Sequence, residues 1–174
     1  MPPIESALVV MVPEAEPLVR PFRERHDPSA ADGVPAHITL LYPFLAPDAV
    51  DARVLEDLRA CFSGFAPISF ALASIRRFPD VLYLAPDPGE PFCQLTRAIW
   101  DRYPHTPPYG GKWPDIIPHL SVAQLADETQ LERIAGDFAL AAREALPIVA
   151  TAGEITLIDN RLGHWQVRAT FPLG

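Results

Sequence analysis

A histidine followed two positions later by a hydroxyl residue occurs twice in this 174-residue chain, as His37 with Thr39 and as His119 with Ser121. Both triplets lie in apolar runs, "HITLLYPF" and "PHLSVAQL", that are typical of buried strands. Side chains two positions apart on a strand point to the same face of a sheet. Each triplet is therefore expected to place one imidazole beside one hydroxyl.

Two opposed histidines suit the cleavage of a phosphodiester, because one takes a proton from water while the other gives one to the leaving oxygen. The hydroxyls of Thr39 and Ser121 would hydrogen-bond the non-bridging phosphate oxygens. This chemistry needs no metal and no cofactor, and the sequence does not decide which histidine is the base. The competing interpretation is two strand histidines with structural hydrogen bonds only, and the matched setting of the triplets favours the catalytic one.

Hydrophobic periodicity predicts the elements that must position the triplets. Apolar runs with a strand pattern occur seven times, at 7–13, 35–44, 68–75, 81–86, 117–125, 147–159 and 164–171. Helical spacing occurs four times, at 16–27, 48–62, 89–103 and 127–146. Pro21 allows only a short or bent first helix, and Asp48 and Asp127 are expected to cap the second and fourth.

The order of these elements contains a repeat. From His37 the chain reads strand, helix, the segment "FAPISF" and a hairpin partner, and from His119 it reads strand, helix, "ALPIVA" and a hairpin partner. Each unit alone would have a thin core, so we expect one bilobal domain over 1–174. A pseudo-twofold axis between the lobes would bring the two triplets face to face across a groove.

Composition limits the classes of partner. The net charge of −8 argues against a protein that grips long nucleic acid, but a small phosphorylated ligand needs only local positive charge. The two cysteines form neither a zinc motif nor a disulfide framework, which favours a reducing cytoplasm. No apolar run has the length of a membrane span, and the N-terminal run lacks the basic flank of a signal peptide.

The triplets, with "PPYGGKWPDIIPHL" before the second, resemble the two-histidine (2H) phosphoesterase superfamily and especially its 2′-5′ RNA ligase-like branch. The resemblance covers nearly the whole chain. It implies an α+β bilobal fold with two antiparallel sheets lining a central groove and helices outside. It also implies hydrolysis of 2′,3′-cyclic or related phosphodiesters, in some members with 2′-5′ RNA ligation. His37 and His119 would be the catalytic pair, and Thr39 and Ser121 the phosphate-binding pair.

Other residues near the motifs are weaker candidates for binding substrate. An aromatic side chain there would stack on a nucleobase or pack in the core, and a cation would attract phosphate or lie in a solvated turn. The aromatic candidates are Tyr42, Phe44, Tyr109 and Trp113, and the cationic candidates are Arg76, Arg77, Lys112 and Arg161. The remaining histidines, His26, His105 and His164, lack the paired hydroxyl and are expected to be structural or exposed.

Two functions from different classes therefore compete. The first is a metal-independent phosphodiesterase acting on a small cyclic phosphate or an RNA terminus, and we expect it to be a cytoplasmic monomer. The second is a binding module of the same fold that holds a nucleotide or RNA end without turnover. The presence of both histidines and both hydroxyls favours the enzyme, while its natural substrate stays open.

Overall fold

The computed structural model describes residues 2–174, and within them the chain forms eight strands and five α-helices. The strands are β1 (Ser6–Met11), β2 (His37–Leu41), β3 (Ile68–Arg77), β4 (Val81–Asp87), β5 (Leu120–Gln124), β6 (Ile148–Ala152), β7 (Glu154–Asp159) and β8 (Gln166–Pro172). The helices are α1 (Glu16–His26), α2 (Pro28–Ala31), α3 (Ala52–Ser63), α4 (Glu90–Arg102) and α5 (Glu128–Ala142). None of these helices combines the length and apolar character needed to cross a membrane.

The strands form one antiparallel sheet in the order β6-β3-β4-β5-β2-β1-β7-β8. The two predicted sheets are the two halves of this sheet, β6-β3-β4-β5 and β2-β1-β7-β8. The halves meet where Ile38 of β2 pairs with Leu120 of β5. Because His37 begins β2 and His119 immediately precedes β5, both triplets lie at the centre of the sheet.

The main core lies between one face of the sheet and the long helices. Ile38 and Leu120 are fully buried in it together with Phe62 of α3, Phe92 of α4 and Phe138 of α5. Helix α1, which precedes the first triplet, packs against β5, and helix α4, which precedes the second triplet, packs against β2. Each of these helices therefore covers the half of the sheet that contains the other triplet. The opposite face of the sheet, on which the triplets lie, forms the central groove.

The single strand predicted at 147–159 divides into β6 and β7, and its predicted hairpin with 164–171 is confirmed for β7, which pairs with β8, but is wrong for β6. Strand β6 pairs with β3, while β7 pairs with β1 and β8, so the chain changes from one half of the sheet to the other at Gly153. A single residue between two strands is too short to reverse the chain direction, so β6 and β7 cannot pair with each other. Each half of the sheet consequently contains strands from both repeats.

Two further details differ from or refine the sequence prediction. Helix α3 is capped by Asp51, whose carboxylate accepts from the Val54 N–H at 2.9 Å, whereas the predicted cap, Asp48, lies in a separate 3₁₀ turn. Asp127 caps α5 as predicted, accepting from the Gln130 N–H at 3.0 Å. Helix α1 runs for 11 residues through Pro21.

Candidate active site

The pairing of β2 with β5 brings the two triplets together. Antiparallel pairing of Ile38 with Leu120 places His37 opposite Ser121 and Thr39 opposite His119. Since Ile38 and Leu120 point into the core, these four residues, here called the histidine–hydroxyl cluster, share the groove face. All four are half-buried. The two histidines occupy one diagonal of the cluster, for which antiparallel geometry gives a backbone separation of about 7–8 Å.

Each histidine ring is held by the same local hydrogen bond. His37 Nδ1 lies 2.7 Å from the Pro35 carbonyl oxygen, and His119 Nδ1 lies 2.7 Å from the Ile117 carbonyl oxygen. A carbonyl only accepts, so in both rings Nδ1 carries the proton and donates it. Nε2 is then the free lone pair of a neutral imidazole or the exchangeable N–H of a protonated one. Neither Nε2 makes a hydrogen bond to another part of residues 2–174.

Aromatic side chains surround His119. The ring centroid of His119 lies 5.2 Å from that of Phe78 and 5.5 Å from that of Tyr83, in edge contacts with both. The ring of Tyr109 lies nearly parallel to it at 6.5 Å. Burial lowers the pKa of His119, against the opposing effect of the hydrogen bond to the Ile117 carbonyl.

A buried ion pair lies near His37. Arg23 Nε is 3.0 Å from Asp27 Oδ2, and both side chains are nearly inaccessible to solvent. Burial lowers the pKa of His37 to about 4, while the hydrogen bond to the Pro35 carbonyl acts in the opposite direction. Arg23 lowers this pKa further and Asp27 raises it, so the two ends of the ion pair act on the imidazole in opposite directions.

The segment before the second triplet supplies three of the predicted binding candidates. Tyr109 and Trp113 line a small cavity that also contains Thr39, so the structure places both aromatics beside the cluster. Trp113 is 58% exposed, and the Lys112 ammonium lies 5.0 Å from the centroid of its ring. The loop therefore offers an exposed aromatic surface with one cation over it.

Three other candidates are already engaged by the protein. The Tyr42 hydroxyl donates to Glu5 Oε2 at 2.6 Å, and its ring makes edge contacts with neighbouring aromatics. Phe44 is buried in the main core. Arg161 Nε lies 2.9 Å from the buried Asp159 carboxylate, which neutralises much of its charge. The Tyr42 ring still contacts the segment before the second triplet, through its edge contact with Tyr109.

The adjacent arginines of β3 lie on different faces of the sheet. Arg76 pairs with Tyr83 of β4, and Tyr83 pairs with Ser121 of β5, so all three point to the groove face. Arg77 pairs with Leu82, a core residue, and therefore lies on the helix side. Arg76 is exposed and makes no ion pair within residues 2–174.

Sequence reasoning missed the aromatic and ionic surroundings of the two histidines. Phe78 and Tyr83 belong to the β3–β4 hairpin, and nothing in their local pattern connects them with position 119. Arg23 and Asp27 have the i, i+4 spacing of a helical ion pair, which was the available signal. His105 and His164 are exposed and His26 is half-buried, in agreement with the roles predicted for them.

The described residues contain no group of three or more His, Cys, Asp or Glu side chains placed to hold a metal ion. The arrangement around the cluster is instead two imidazoles with free Nε2 atoms, two hydroxyls and an aromatic rim. Such a set can hold an anion by hydrogen bonds and can exchange protons with it through the two imidazoles.

The family profile of the 2′-5′ RNA ligase superfamily matches residues 11–164, which include both triplets and most of the sheet. The chain therefore belongs to the 2′-5′ RNA ligase superfamily, whose members are two-histidine phosphoesterases. A "Putative phosphoesterase" of Bacillus pumilus is 27% identical over 172 residues, with coverage of 95% of this chain and 96% of the relative. A protein of the same name from Staphylococcus aureus is 26% identical over 157 residues, covering 87% of this chain and 88% of the relative.

Solved structures confirm the fold. Escherichia coli LigT complexed with 3′-AMP superposes with a TM-score of 0.63 at 17% identity, and the match covers 99% of both chains. LigT complexed with ATP gives a TM-score of 0.60, also at 17% identity and 99% coverage. The α+β fold with helices outside a central groove, expected from the resemblance, is thus confirmed.

Proposed function

We propose that this protein is a metal-independent phosphodiesterase that hydrolyses 2′,3′-cyclic or related phosphodiesters with His37 and His119. The observation that carries the proposal is the shared groove face, on which the two histidines are diagonal neighbours with both Nε2 atoms free. Membership of a phosphoesterase superfamily supports the reaction class. The small nucleotides bound in the LigT structures support a substrate of that size.

In the proposed reaction, the neutral imidazole accepts a proton from water through Nε2 as the water oxygen forms a bond to phosphorus. The bond from phosphorus to one ribose oxygen breaks, and the protonated imidazole donates its Nε2 proton to that oxygen. The product is a ribose phosphomonoester with one free hydroxyl. Thr39 and Ser121 donate hydrogen bonds to the non-bridging oxygens, on which negative charge increases in the transition state. Solvent exchange then restores the starting protonation of the two rings.

A panel of nucleoside 2′,3′-cyclic phosphates, assayed with EDTA present, tests this proposal. The enzyme is expected to convert at least one of them to a single phosphomonoester at an unchanged rate in the chelator. Binding of the same compounds without turnover would instead support the alternative, a nucleotide- or RNA-end-binding module. Loss of turnover on metal removal would contradict the two-histidine mechanism. Adding a 5′-hydroxyl RNA acceptor to the same panel tests for 2′-5′ ligation.

The optimum of kcat/KM is expected on the acidic side of pH 6.5. Productive turnover requires one neutral and one protonated histidine, and in the free protein burial lowers the pKa of His37 to about 4 and also lowers that of His119. Because both pKa values are lowered, the fraction of molecules with one protonated ring rises as the pH falls below 7, and it declines again once both rings are protonated. Bound phosphate favours the protonated ring, so kcat should peak at higher pH than kcat/KM. A kcat/KM that rises steadily to pH 9 would contradict this assignment.

Recognition beyond the scissile phosphate is expected to be limited to about one ionic contact, through Arg76. Two strand spacings place Arg76 about 10 Å from the strand of Ser121, within reach of a neighbouring phosphate for a long side chain. The surrounding net charge of −8 repels longer polyanions. Each contact of Lys or Arg with single-stranded phosphate adds roughly 0.7 to the log–log slope of affinity against salt, so the slope should be at or below about 1 to 2.

Affinity for a dinucleotide ending in a cyclic phosphate, measured from low to moderate salt, checks this expectation. Arg76→Ala should lower the slope by about 0.7. Arg77→Ala is the matched control, because it removes the same charge from the opposite face of the same strand, and it should leave the slope unchanged. A slope of about 4 or more, with strong preference for longer RNA, would show a basic track elsewhere on the protein.

A further inference from the structure

The loop before the second triplet holds Tyr109 in a backbone conformation that bulky residues rarely adopt. Tyr109 has φ of 52° and ψ of 35°, in the left-handed region, and it is followed by Gly110 and Gly111, which also have positive φ. Such a conformation is strained for a residue with a side chain and persists only where the surroundings enforce it. The Tyr109 N–H donates to the Tyr42 carbonyl oxygen at 2.6 Å, which fixes the loop to the residue that follows β2.

This conformation directs the Tyr109 side chain to the histidine–hydroxyl cluster. Its ring lies nearly parallel to that of His119, and it lines the same cavity as Thr39. Thr39 and His119 are opposite each other across the β2–β5 pairing, so Tyr109 lies over that side of the cluster. A phosphate bound between the histidines would therefore lie beside this ring.

The hydroxyl of Tyr109 differs from those of two neighbouring tyrosines. Tyr42 donates to Glu5 at 2.6 Å, and Tyr103 donates to Asp57 at 2.8 Å, so both hydroxyls are committed to carboxylates. Within residues 2–174 the Tyr109 hydroxyl donates to no carboxylate or carbonyl group. The residue is 37% exposed, so a ligand can reach it. Desolvation raises the pKa of Tyr109, and a hydrogen bond with the Thr39 side chain partly offsets this increase. Both effects agree with a neutral tyrosine hydroxyl that lies beside Thr39.

We propose that the Tyr109 hydroxyl is a third hydrogen-bond donor to the phosphate held by the histidine–hydroxyl cluster. The hydroxyl acts on the side of the cluster that contains Thr39, and the strained loop keeps the Tyr109 side chain oriented before substrate binds. This assignment rests on the proposed phosphodiesterase function and extends it, because it gives Tyr109 a contact to the reacting phosphate rather than to a nucleobase. A neutral phenol adds a donor without adding the positive charge that would attract longer polyanions.

The test compares Tyr109→Phe with Tyr42→Phe, since each removes one tyrosine hydroxyl and keeps the ring. Tyr109→Phe is expected to lower kcat/KM for a nucleoside 2′,3′-cyclic phosphate about tenfold, and to weaken binding of a nucleoside 3′-phosphate by a similar factor in calorimetry. Tyr42→Phe should change both quantities less than about threefold, because its hydroxyl bonds Glu5. Thermal unfolding of Tyr109→Phe should match the wild type, which separates ligand contact from loop stability.

Near-normal kcat/KM and binding in Tyr109→Phe would overturn the proposal. If Tyr109→Ala alone were impaired, the ring would be the functional part and Tyr109 would stack on the base. Binding is measured independently of turnover, so the two proposals fail separately. A wild type that binds the 3′-phosphate without hydrolysing cyclic phosphates would refute the enzyme, and the Tyr109→Phe affinity would still decide the role of the hydroxyl. A wild type that shows neither binding nor turnover would overturn both.

Discussion

Replacing either His37 or His119 with alanine is expected to lower kcat on a 2′,3′-cyclic nucleotide by at least about a hundredfold. Each variant removes one of the two groups that move protons in the proposed step. The double variant should be little slower than either single variant, because the two histidines act as a unit. Steady-state kinetics on the three proteins provide the measurement.

His105→Ala is the matched control for these variants. His105 is an exposed histidine of the loop after α4 and has no paired hydroxyl, so its loss should leave kcat within about twofold of the wild type. Both cluster histidines are only half-buried and hydrogen-bond through Nδ1 to exposed loop segments, so the alanine variants are expected to fold. Circular dichroism verifies this. Turnover close to normal in either one would refute the acid–base pair.

Removing both hydroxyls with Thr39→Val and Ser121→Ala is expected to produce the second-largest loss of activity. Each hydroxyl donates one hydrogen bond to a charged oxygen, and loss of such a bond costs about 1–3 kcal/mol. Each single variant should therefore lose about 5- to 150-fold in kcat/KM. The double variant should lose more than either single one, although the effects will not add fully because both hydroxyls contact one phosphate.

Thr39→Ser and Ser121→Thr serve as the controls, since each keeps the hydroxyl while changing one methyl group. Both are expected to retain activity within about fivefold of the wild type, which would assign the losses to the hydrogen bonds rather than to packing. If Thr39→Val were as active as Thr39→Ser, the hydroxyl of that position would not contact the transition state.

The central part of the fold was predictable because local signals were strong there. Alternation and apolar runs identified β2 and β5, and the i, i+2 rule correctly placed each histidine beside its hydroxyl on one face. The helix that Asp127 caps had a clear amphipathic pattern and an acidic first turn. The element order also revealed the repeat that sets the two triplets at equivalent positions.

Strand pairing was not predictable from the same signals. Hydrophobic alternation shows that 147–159 is extended, but it does not reveal that β6 joins β3 while β7 joins β1. Pairing partners are chosen by long-range packing, for which a single sequence provides no direct signal. For the same reason, the face of the sheet on which Arg76 lies was established only by its register with Tyr83 and Ser121.

The orientation of the aromatic residues of the site could not be predicted from the sequence either. The Gly110–Gly111 pair indicated a turn, but the positive φ falls on Tyr109 itself as well. That conformation depends on the hydrogen bond to Tyr42, 67 positions earlier, and tertiary contacts of this kind override local preference. Arg161, a sequence candidate for the groove, is instead paired with the buried Asp159.

A crystal structure of the protein with a nucleoside 3′-phosphate tests the central claim most directly, because it asks whether the two histidines share one phosphate. The account predicts that phosphate oxygens lie within about 3 Å of Nε2 of both His37 and His119 and of the hydroxyls of Thr39 and Ser121. A phosphate bound outside the groove, or one contacting a single histidine while the other Nε2 bonds to protein, would contradict it.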